Sequence, residues 1–167
     1  DDADYDIESL MIQDGSMGFA EGEGEAFITG NGVKKPRGIM SQTFAYTGDN
    51  TRAWGQVQKI KTGVNGGFAT TGQANKLMDM ACGLRSIYQS RAVWGMNRFT
   101  LAEVMKLQDD TGNYIFLQGF NLQTGAFGTL LGHPVDASFD HMADIANDSL
   151  SIIYGDLGAA YQIADRR

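Results

Sequence analysis

The feature that most constrains the fold is a segment, residues 74–88, in which apolar side chains recur at three- and four-residue steps. Side chains at these steps lie on one face of an α-helix, so the spacing predicts an amphipathic helix. Thr70 or Thr71 is placed to cap its start. One face of this helix must be buried against a core that other segments supply. Its members are Ala74, Leu77, Met78, Ala81, Leu84, Ile87 and Tyr88.

The other segments predict further helices and several short strands. A helix is expected from residue 5 to about residue 26, although four glycines weaken it. A capping box, Thr100 with Glu103, predicts a short helix that runs to about Gln108. Together with the strands, this mixture predicts an α+β fold. Strands with loops are expected in residues 39–68, extended chain in 92–96, 114–117, 130–136, 150–154 and 160–164, and a polar, glycine-bounded loop in 119–128.

The charge balance argues against nucleic-acid binding as the main task of the chain. The formal net charge is -7, so the chain as a whole repels phosphate. The only basic cluster is Lys34, Lys35 and Arg37, which we interpret as a solvated turn. No apolar run reaches the roughly 18 residues that a membrane helix needs, and the acidic start lacks the features of a signal peptide. We expect neither membrane association nor secretion.

Cys82 is the only cysteine, so an internal disulfide or a cysteine-based zinc site cannot form. This fits a reducing interior such as a bacterial cytoplasm. Because Cys82 falls within the predicted amphipathic helix, we expect a buried, inert thiol rather than a nucleophile. The two histidines, His133 and His141, share no helical face, so a metal site or a general base is not indicated.

Several other patterns are typical of active sites, but each lacks a required residue. The glycine-rich residues 22–38 lack the Gly-Lys-Ser/Thr of a phosphate-binding loop. The alternating acids at positions 2, 4, 6 and 8 are followed by neither the glycine nor the glutamate that a calcium loop needs. We therefore expect no catalytic, cofactor-binding or metal-binding residue, and not an enzyme. Two remaining sets are interpreted as a solvated helix face and as core aromatics, respectively Glu21, Glu23 and Glu25, and Tyr114, Phe116 and Phe120.

A resemblance to a known family rests on a pair of adjacent motifs. Residues 25–32 read EAFITGNG and residues 35–40 read KPRGIM. The pair resembles the hallmark of the tailed-phage major capsid family, in which a long helix ends in Ala-Phe-Ile/Leu-x-Gly-Asn/Asp-Gly and x-Pro-x-Gly-Ile-Leu follows. Five further segments resemble the family in the same order, namely LRSIY (84–88), AVWGMN (92–97), QDDTG (108–112), LLGHPV (130–135) and YGDLGAAYQIADR (154–166).

The resemblance implies the Hong Kong ninety-seven type phage capsid fold. Residues 1–69 would form part of the peripheral domain with the end of its spine helix, and residues 70–167 would form the axial domain. The family's N-terminal arm, extended loop and final peripheral strands have no counterpart in this sequence. We therefore expect a truncated fragment of a longer protein.

The function implied by the resemblance is assembly. Major capsid subunits of a tailed phage or prophage form pentamers and hexamers of an icosahedral shell that encloses double-stranded DNA without binding it specifically. Partners would be further copies, a scaffold, a portal and a maturation protease, first in the host cytoplasm and finally in the virion capsid. Residues 119–128 and 136–148 are the predicted inter-subunit contacts, because polar loops that leave a packed core commonly carry function. No crosslinking residue is assigned.

Two alternative functions stay open at this point. An encapsulin-type nanocompartment shell would share the fold and enclose cargo enzymes, although the Gly-Asn-Gly and Pro-x-Gly-Ile pair favours the phage branch. A hydrolase whose catalytic groups lie outside the visible motifs would belong to a different class. A pocket with converging carboxylates or histidines would favour the hydrolase.

Overall fold

The computed structural model describes residues 7–116 and 128–163, which form parts of two compact units, Asp1–Ser41 and Gln42–Arg167. The first unit consists of helix α1, Ile7–Thr29, followed by a turn and a short 3-10 helix, Ile39–Ser41. The predicted first helix is confirmed and extends three residues beyond its expected end. The division into family domains at residues 69 and 70 is a separate question and stays a prediction.

The capsid-like motif after α1 is built on two glycines that approach the backbone closely. Gly30 donates its amide to Ala26 O at 3.0 Å, and Gly38 donates to Gly30 O at 2.8 Å. A Cβ atom on Gly30 would lie 2.2 Å from Pro36 O, and one on Gly38 would lie 2.4 Å from Ile28 O. Any side chain at either position would overlap main-chain atoms, so the turn requires glycine at both.

The second unit contains two sheets. Strands β1, Thr43–Ala45, and β2, Gln56–Gln58, pair in parallel. A four-stranded sheet has the order β4-β5-β3-β6, with β3 at Val93–Met96, β4 at Thr129–Leu130, β5 at His133–Asp136 and β6 at Ile152–Gly155. Strand β3 pairs with β5 in parallel and with β6 antiparallel, and β4 and β5 form a hairpin. Four helices accompany the sheets: α2 Asn75–Gly83, α3 Ser86–Gln89, α4 Arg98–Met105 and α5 Leu157–Ala160.

The core of this unit lies around the central strand β3. Trp94 and Met96 on β3 are fully buried, and Trp94 Nε1 donates to Leu130 O at 2.9 Å. The Trp94 ring also packs against Tyr154 of β6, with 4.2 Å between ring centroids. Because the buried indole has a hydrogen-bond acceptor, its burial leaves no unsatisfied donor. The other buried members of this cluster are Leu77, Leu101, Val104, Leu107, Leu130 and Ala137.

The predicted helix at 74–88 is divided into two. Helix α2 ends at Gly83, and Leu84 adopts extended backbone angles before α3 begins at Ser86. Glycine has a low helix propensity, which favours termination at this point. Only Ala74 and Leu77 of the predicted apolar face are buried, whereas Met78, Ile87 and Tyr88 are exposed. The predicted threonine cap is also wrong, because the N-cap position is Ala74 and no side chain caps it.

The predicted capping box at Thr100 and Glu103 is wrong by one element of register. Helix α4 begins at Arg98, and its N-cap is Asn97, whose Oδ1 accepts from Thr100 N at 2.7 Å. Thr100 is therefore a buried helical residue. The helix ends at Met105, earlier than expected.

The strands predicted at 92–96, 130–136 and 150–154 are confirmed, with one difference. Residues 129–136 form a hairpin that turns at Leu131 and Gly132, both with positive φ. The strand predicted at 160–164 is wrong within its described part: residues 157–160 form α5, capped by Asp156, and 161–163 are not in a strand. Residues 117 and 164 lie outside the described residues.

The turn after α1 predicts opposite effects for two glycine substitutions. Gly38→Ala forces a Cβ atom into the Ile28 carbonyl, so the free energy of unfolding should fall by roughly 1–3 kcal/mol. Gly22→Ala is the matched control, since a Cβ there meets nothing within 4 Å. It should raise helix stability by up to about 1 kcal/mol. Thermal unfolding followed by circular dichroism checks both, and equal effects of the two variants would contradict the role of Gly38.

Candidate functional site

The residues that could have carried enzyme chemistry are scattered. His133 lies on β5, where its ring meets the edge of Tyr154 at 5.4 Å between centroids, and His141 lies in the chain between β5 and β6. Glu21, Glu23 and Glu25 are exposed along α1, as expected of a solvated face. Within the described residues, no group of three histidine, cysteine or acidic side chains could hold a metal ion. None of the described helices is long and apolar enough to cross a membrane.

Two predicted burial states are wrong. Cys82 is exposed, because α2 directs Leu77 and Ala81 to the core while the next position after Ala81 points away from it. Tyr114 is also exposed, whereas Phe116 packs against the core as expected. Phe120 and the acids at positions 2, 4 and 6 lie outside the described residues. The basic cluster at Lys34, Lys35 and Arg37 is exposed, in agreement with a solvated turn.

The segment between β5 and β6, residues 136–148, is the best-defined candidate for contacts with other molecules. We call it the acidic loop, because it carries Asp136, Asp140, Asp144 and Asp148 and neither lysine nor arginine. Asp140, Asp144 and Asp148 are exposed. A surface of one charge sign attracts a partner surface of the opposite sign and repels phosphate.

The acidic loop is anchored at its centre by apolar side chains. Ala137 and Met142 are buried, and the Phe139 ring lies against Gly95 of β3. A Cβ atom at Gly95 would lie 3.1 Å from that ring and 2.7 Å from the Ile153 side chain. Glycine at this position in β3 therefore makes room for Phe139, and the loop packs on the sheet.

Asn97 connects the acidic loop to the end of β3. This side chain is 3% exposed, and its Nδ2 donates to Met142 O at 3.0 Å and to Asp144 Oδ1 at 2.6 Å. Its Oδ1 caps α4 through Thr100 N. One amide group thus holds a strand end, a helix start and the loop in a fixed arrangement.

The distal end of the acidic loop is held by polar contacts. Ser151 Oγ donates to Asp144 O at 2.9 Å, and Ser149 Oγ lies 2.7 Å from Ser151 Oγ. Lys59 Nζ lies 3.4 Å from Asp148 Oδ1, although this exposed pair contributes little stability. Asp148 itself adopts a positive φ of 59°. The loop is therefore fixed in shape while most of its carboxylates face solvent.

The second predicted contact loop, residues 119–128, lies outside the described residues apart from Gly128. The turn that precedes it is described. Asp109 accepts hydrogen bonds from Thr111 N and Oγ1 at 2.9 and 2.7 Å, and from Asn113 N at 2.9 Å. The Thr111 hydroxyl, with these backbone amides, lowers the pKa of the Asp109 carboxyl from 3.8 to about 2.

Comparison with known proteins gives concordant results. The sequence matches the phage capsid family over residues 1–167. The fold matches a chain from the capsid of the empty GTA particle with a TM-score of 0.81 and 32% identity. A chain from the capsid of the native GTA particle matches with a TM-score of 0.80 and 33% identity. Each match covers 93% of this chain and 51% of the other, so the chain spans about half the length of these neighbours. The comparison with curated proteins yields no match.

These matches confirm the α+β fold of the Hong Kong ninety-seven type that the sequence motifs indicated. Sequence reasoning also selected residues 136–148 as a candidate surface, but it missed Asn97 as the residue that holds them. The signal that could have found it is the position of Asn97, since an asparagine directly after a buried strand and before a helical segment is a favoured N-cap.

Loss of the Asn97 side chain should destabilise the second unit. Asn97→Ala removes a helix cap, worth about 1 kcal/mol, and two buried hydrogen bonds of about 1 kcal/mol each, so we expect a loss of roughly 2–4 kcal/mol. Asn97→Asp keeps the cap but places a carboxylate beside Asp144, so it should also destabilise. Chemical denaturation measures both, and wild-type stability of Asn97→Asp would contradict the amide contacts.

Asp109 predicts an acid-sensitive contribution to stability. Its pKa in the folded state, about 2, lies below the ordinary value of 3.8. The ionised carboxylate therefore stabilises the fold above about pH 4, and the contribution disappears as pH falls toward 2. Asp109→Asn should lose less stability than the wild type between about pH 5 and 3. Thermal melts across this range check the difference, and parallel curves for the two proteins would contradict it.

Proposed function

Because the chain belongs to the phage capsid family, we propose that it is part of the major capsid subunit of a tailed phage or prophage. In this role the protein is structural and not an enzyme. Its copies assemble into pentamers and hexamers of an icosahedral shell, which encloses double-stranded DNA.

One observation carries this proposal, namely the fold match to chains of assembled capsids. Both neighbours are described as capsids of GTA particles, and both align with 93% of this chain at above 30% identity. Likeness in sequence and in fold over the same residues supports a shared role in a shell. The proposal concerns the complete protein, of which this chain spans about half the length of those neighbours.

The charge of the chain supports a container for DNA rather than a DNA-binding protein. A net charge of -7 repels phosphate, which limits adhesion of packaged DNA to the inner surface. A scaffold, a portal and a maturation protease are the proposed partners during assembly in the bacterial cytoplasm. The virion capsid is the proposed final location.

For the domain organisation we propose residues 1–69 as part of the peripheral domain, with α1 as the end of the spine helix. Residues 70–167 would form the axial domain around the five-fold and six-fold axes. The acidic loop and residues 119–128 would then contact neighbouring subunits. The packing of Met142 and the contacts of Asn97 support this, because a loop of fixed shape binds a partner at a low cost in conformational entropy.

The direct test is negative-stain electron microscopy of the complete protein, produced with any scaffold and protease encoded beside it. Closed polyhedral shells are the expected result. Shells that contain DNA support the phage head, whereas shells that contain enzymes and no DNA would point to a cargo compartment. A monomer under all conditions would contradict the proposal.

A charge reversal in the acidic loop should impair assembly. Asp140 is exposed and is not among the contacts that hold the loop, so Asp140→Lys in the complete protein should leave subunit folding intact and reduce the shell fraction. Asp79→Lys on α2 is the matched control. Asp79 is exposed and pairs only with Lys76 three residues away, a contact of little energetic value.

The measurement is the fraction of protein that sediments as shells, with thermal melting of free subunits in parallel. Asp140→Lys should lower that fraction, whereas Asp79→Lys should not. Wild-type assembly of Asp140→Lys would contradict a contact role for the acidic loop.

A further inference from the structure

The two tryptophans of the chain have opposite environments. Trp94 in β3 is 0% exposed, whereas Trp54 is 103% exposed. Trp54 lies in residues 46–55 between β1 and β2, which we call the aromatic loop. Leaving an indole in water forgoes roughly 2–3 kcal/mol of apolar burial, and tryptophan is enriched among the residues that dominate protein interfaces. The exposure of Trp54 therefore requires an explanation.

The aromatic loop is braced and holds its tryptophan in a defined position. Gly48 O accepts from Thr51 N at 3.1 Å and from Arg52 N at 3.0 Å. Asp49 pairs with Arg52 within the loop and with Arg85, at 2.7 Å, directly before α3. A preorganised side chain loses less conformational entropy on binding than one on an unconstrained loop.

The surface beside Trp54 combines aromatic and apolar groups with a basic rim. Tyr46 is 57% exposed, and Lys61 Nζ lies 4.4 Å from the centre of its ring. Val57, in the adjoining strand β2, is also exposed. Lysine and arginine side chains border these groups. An apolar, aromatic centre within a polar rim is the usual anatomy of a protein interface.

We propose that Trp54 anchors the aromatic loop to a second copy of this chain. The inference rests on the proposed shell function and adds a specific contact to it. Charge favours a like copy as the partner, because each copy carries a net charge of -7, which complements a basic rim. The contact brings the indole out of water and surrounds it with the neighbouring subunit.

A single-stranded nucleic acid is the competing occupant, since bases stack on exposed aromatic rings beside cations. The charges of the loop argue against it. Asp49 pairs with both Arg52 and Arg85, and Asp148 pairs with Lys59, so much of the positive charge is already compensated. A protein partner is therefore favoured over phosphate.

Acrylamide quenching of tryptophan fluorescence tests the proposal on the complete protein. The wild type and Trp54→Phe are compared, both as free subunits and as purified shells, and their difference isolates Trp54. The quenching constant of Trp54 should fall at least about threefold on assembly, as expected for a residue shielded at an interface centre. Equal quenching in subunits and shells would overturn the proposal without affecting the shell function, since the shells themselves would have formed.

Empty and DNA-filled shells separate the two occupants. Protection of Trp54 in both kinds of shell is the expected result. Protection confined to DNA-filled shells would overturn the proposal in favour of a nucleic-acid contact.

Substitution gives an independent reading. Trp54→Ala should raise the subunit concentration needed for assembly at least about tenfold, as for loss of an interface anchor. Trp54→Phe keeps an aromatic ring and should stay near the wild type. Because Trp54 is fully exposed, neither variant should change the melting temperature of free subunits. Wild-type assembly of the alanine variant would refute the anchor.

Discussion

The second unit depends on the short strand β3 and on the two side chains that fix its ends in the fold. Trp94 is fully buried between the helices and β6, with its indole N–H bonded to Leu130 O. Asn97, directly after the strand, caps α4 and binds the acidic loop. Because β3 pairs with both β5 and β6, each neighbouring segment takes its position from this strand.

The surfaces proposed for assembly are extensions of that core. The acidic loop is fixed to β3 through Phe139 and Asn97, and it leaves its carboxylates in solvent. The aromatic loop is braced separately by Asp49, which also reaches Arg85 before α3. Subunits that present rigid surfaces to one another avoid most of the entropy cost of ordering loops on contact. A rigid core with fixed loops therefore suits a protein whose task is to build a shell.

Much of the fold could be predicted from sequence because its signals are local. The glycines at 30 and 38 form part of a recognisable motif for a physical reason, since main-chain atoms lie where a Cβ would be. The apolar run at 92–96 gave the central strand, and the turn at Asp109 follows from its own side-chain hydrogen bonds.

The errors arose where tertiary contacts outweigh local pattern. Helical spacing continues through Leu84, yet the chain breaks there, and Cys82 lies on the solvent side of α2. Thr100 and Glu103 form a plausible capping box, but Asn97 competes successfully because it also bonds to the acidic loop, a contact 45 residues away in sequence. The exposure of Trp54 was equally invisible, since no periodic pattern reports which side chain lacks a neighbour. Fold class is thus readable from the sequence, while the candidate surface requires the structure.

The central claim is that a preformed core presents fixed loops, which are covered only when copies assemble. Hydrogen–deuterium exchange on the complete protein, compared between free subunits and shells, tests it most directly. Amides of β3 should exchange slowly in both states, whereas those of the aromatic and acidic loops should become protected only in shells. Slow exchange of β3 that appears only after assembly would contradict the claim, because the core would then form together with the shell.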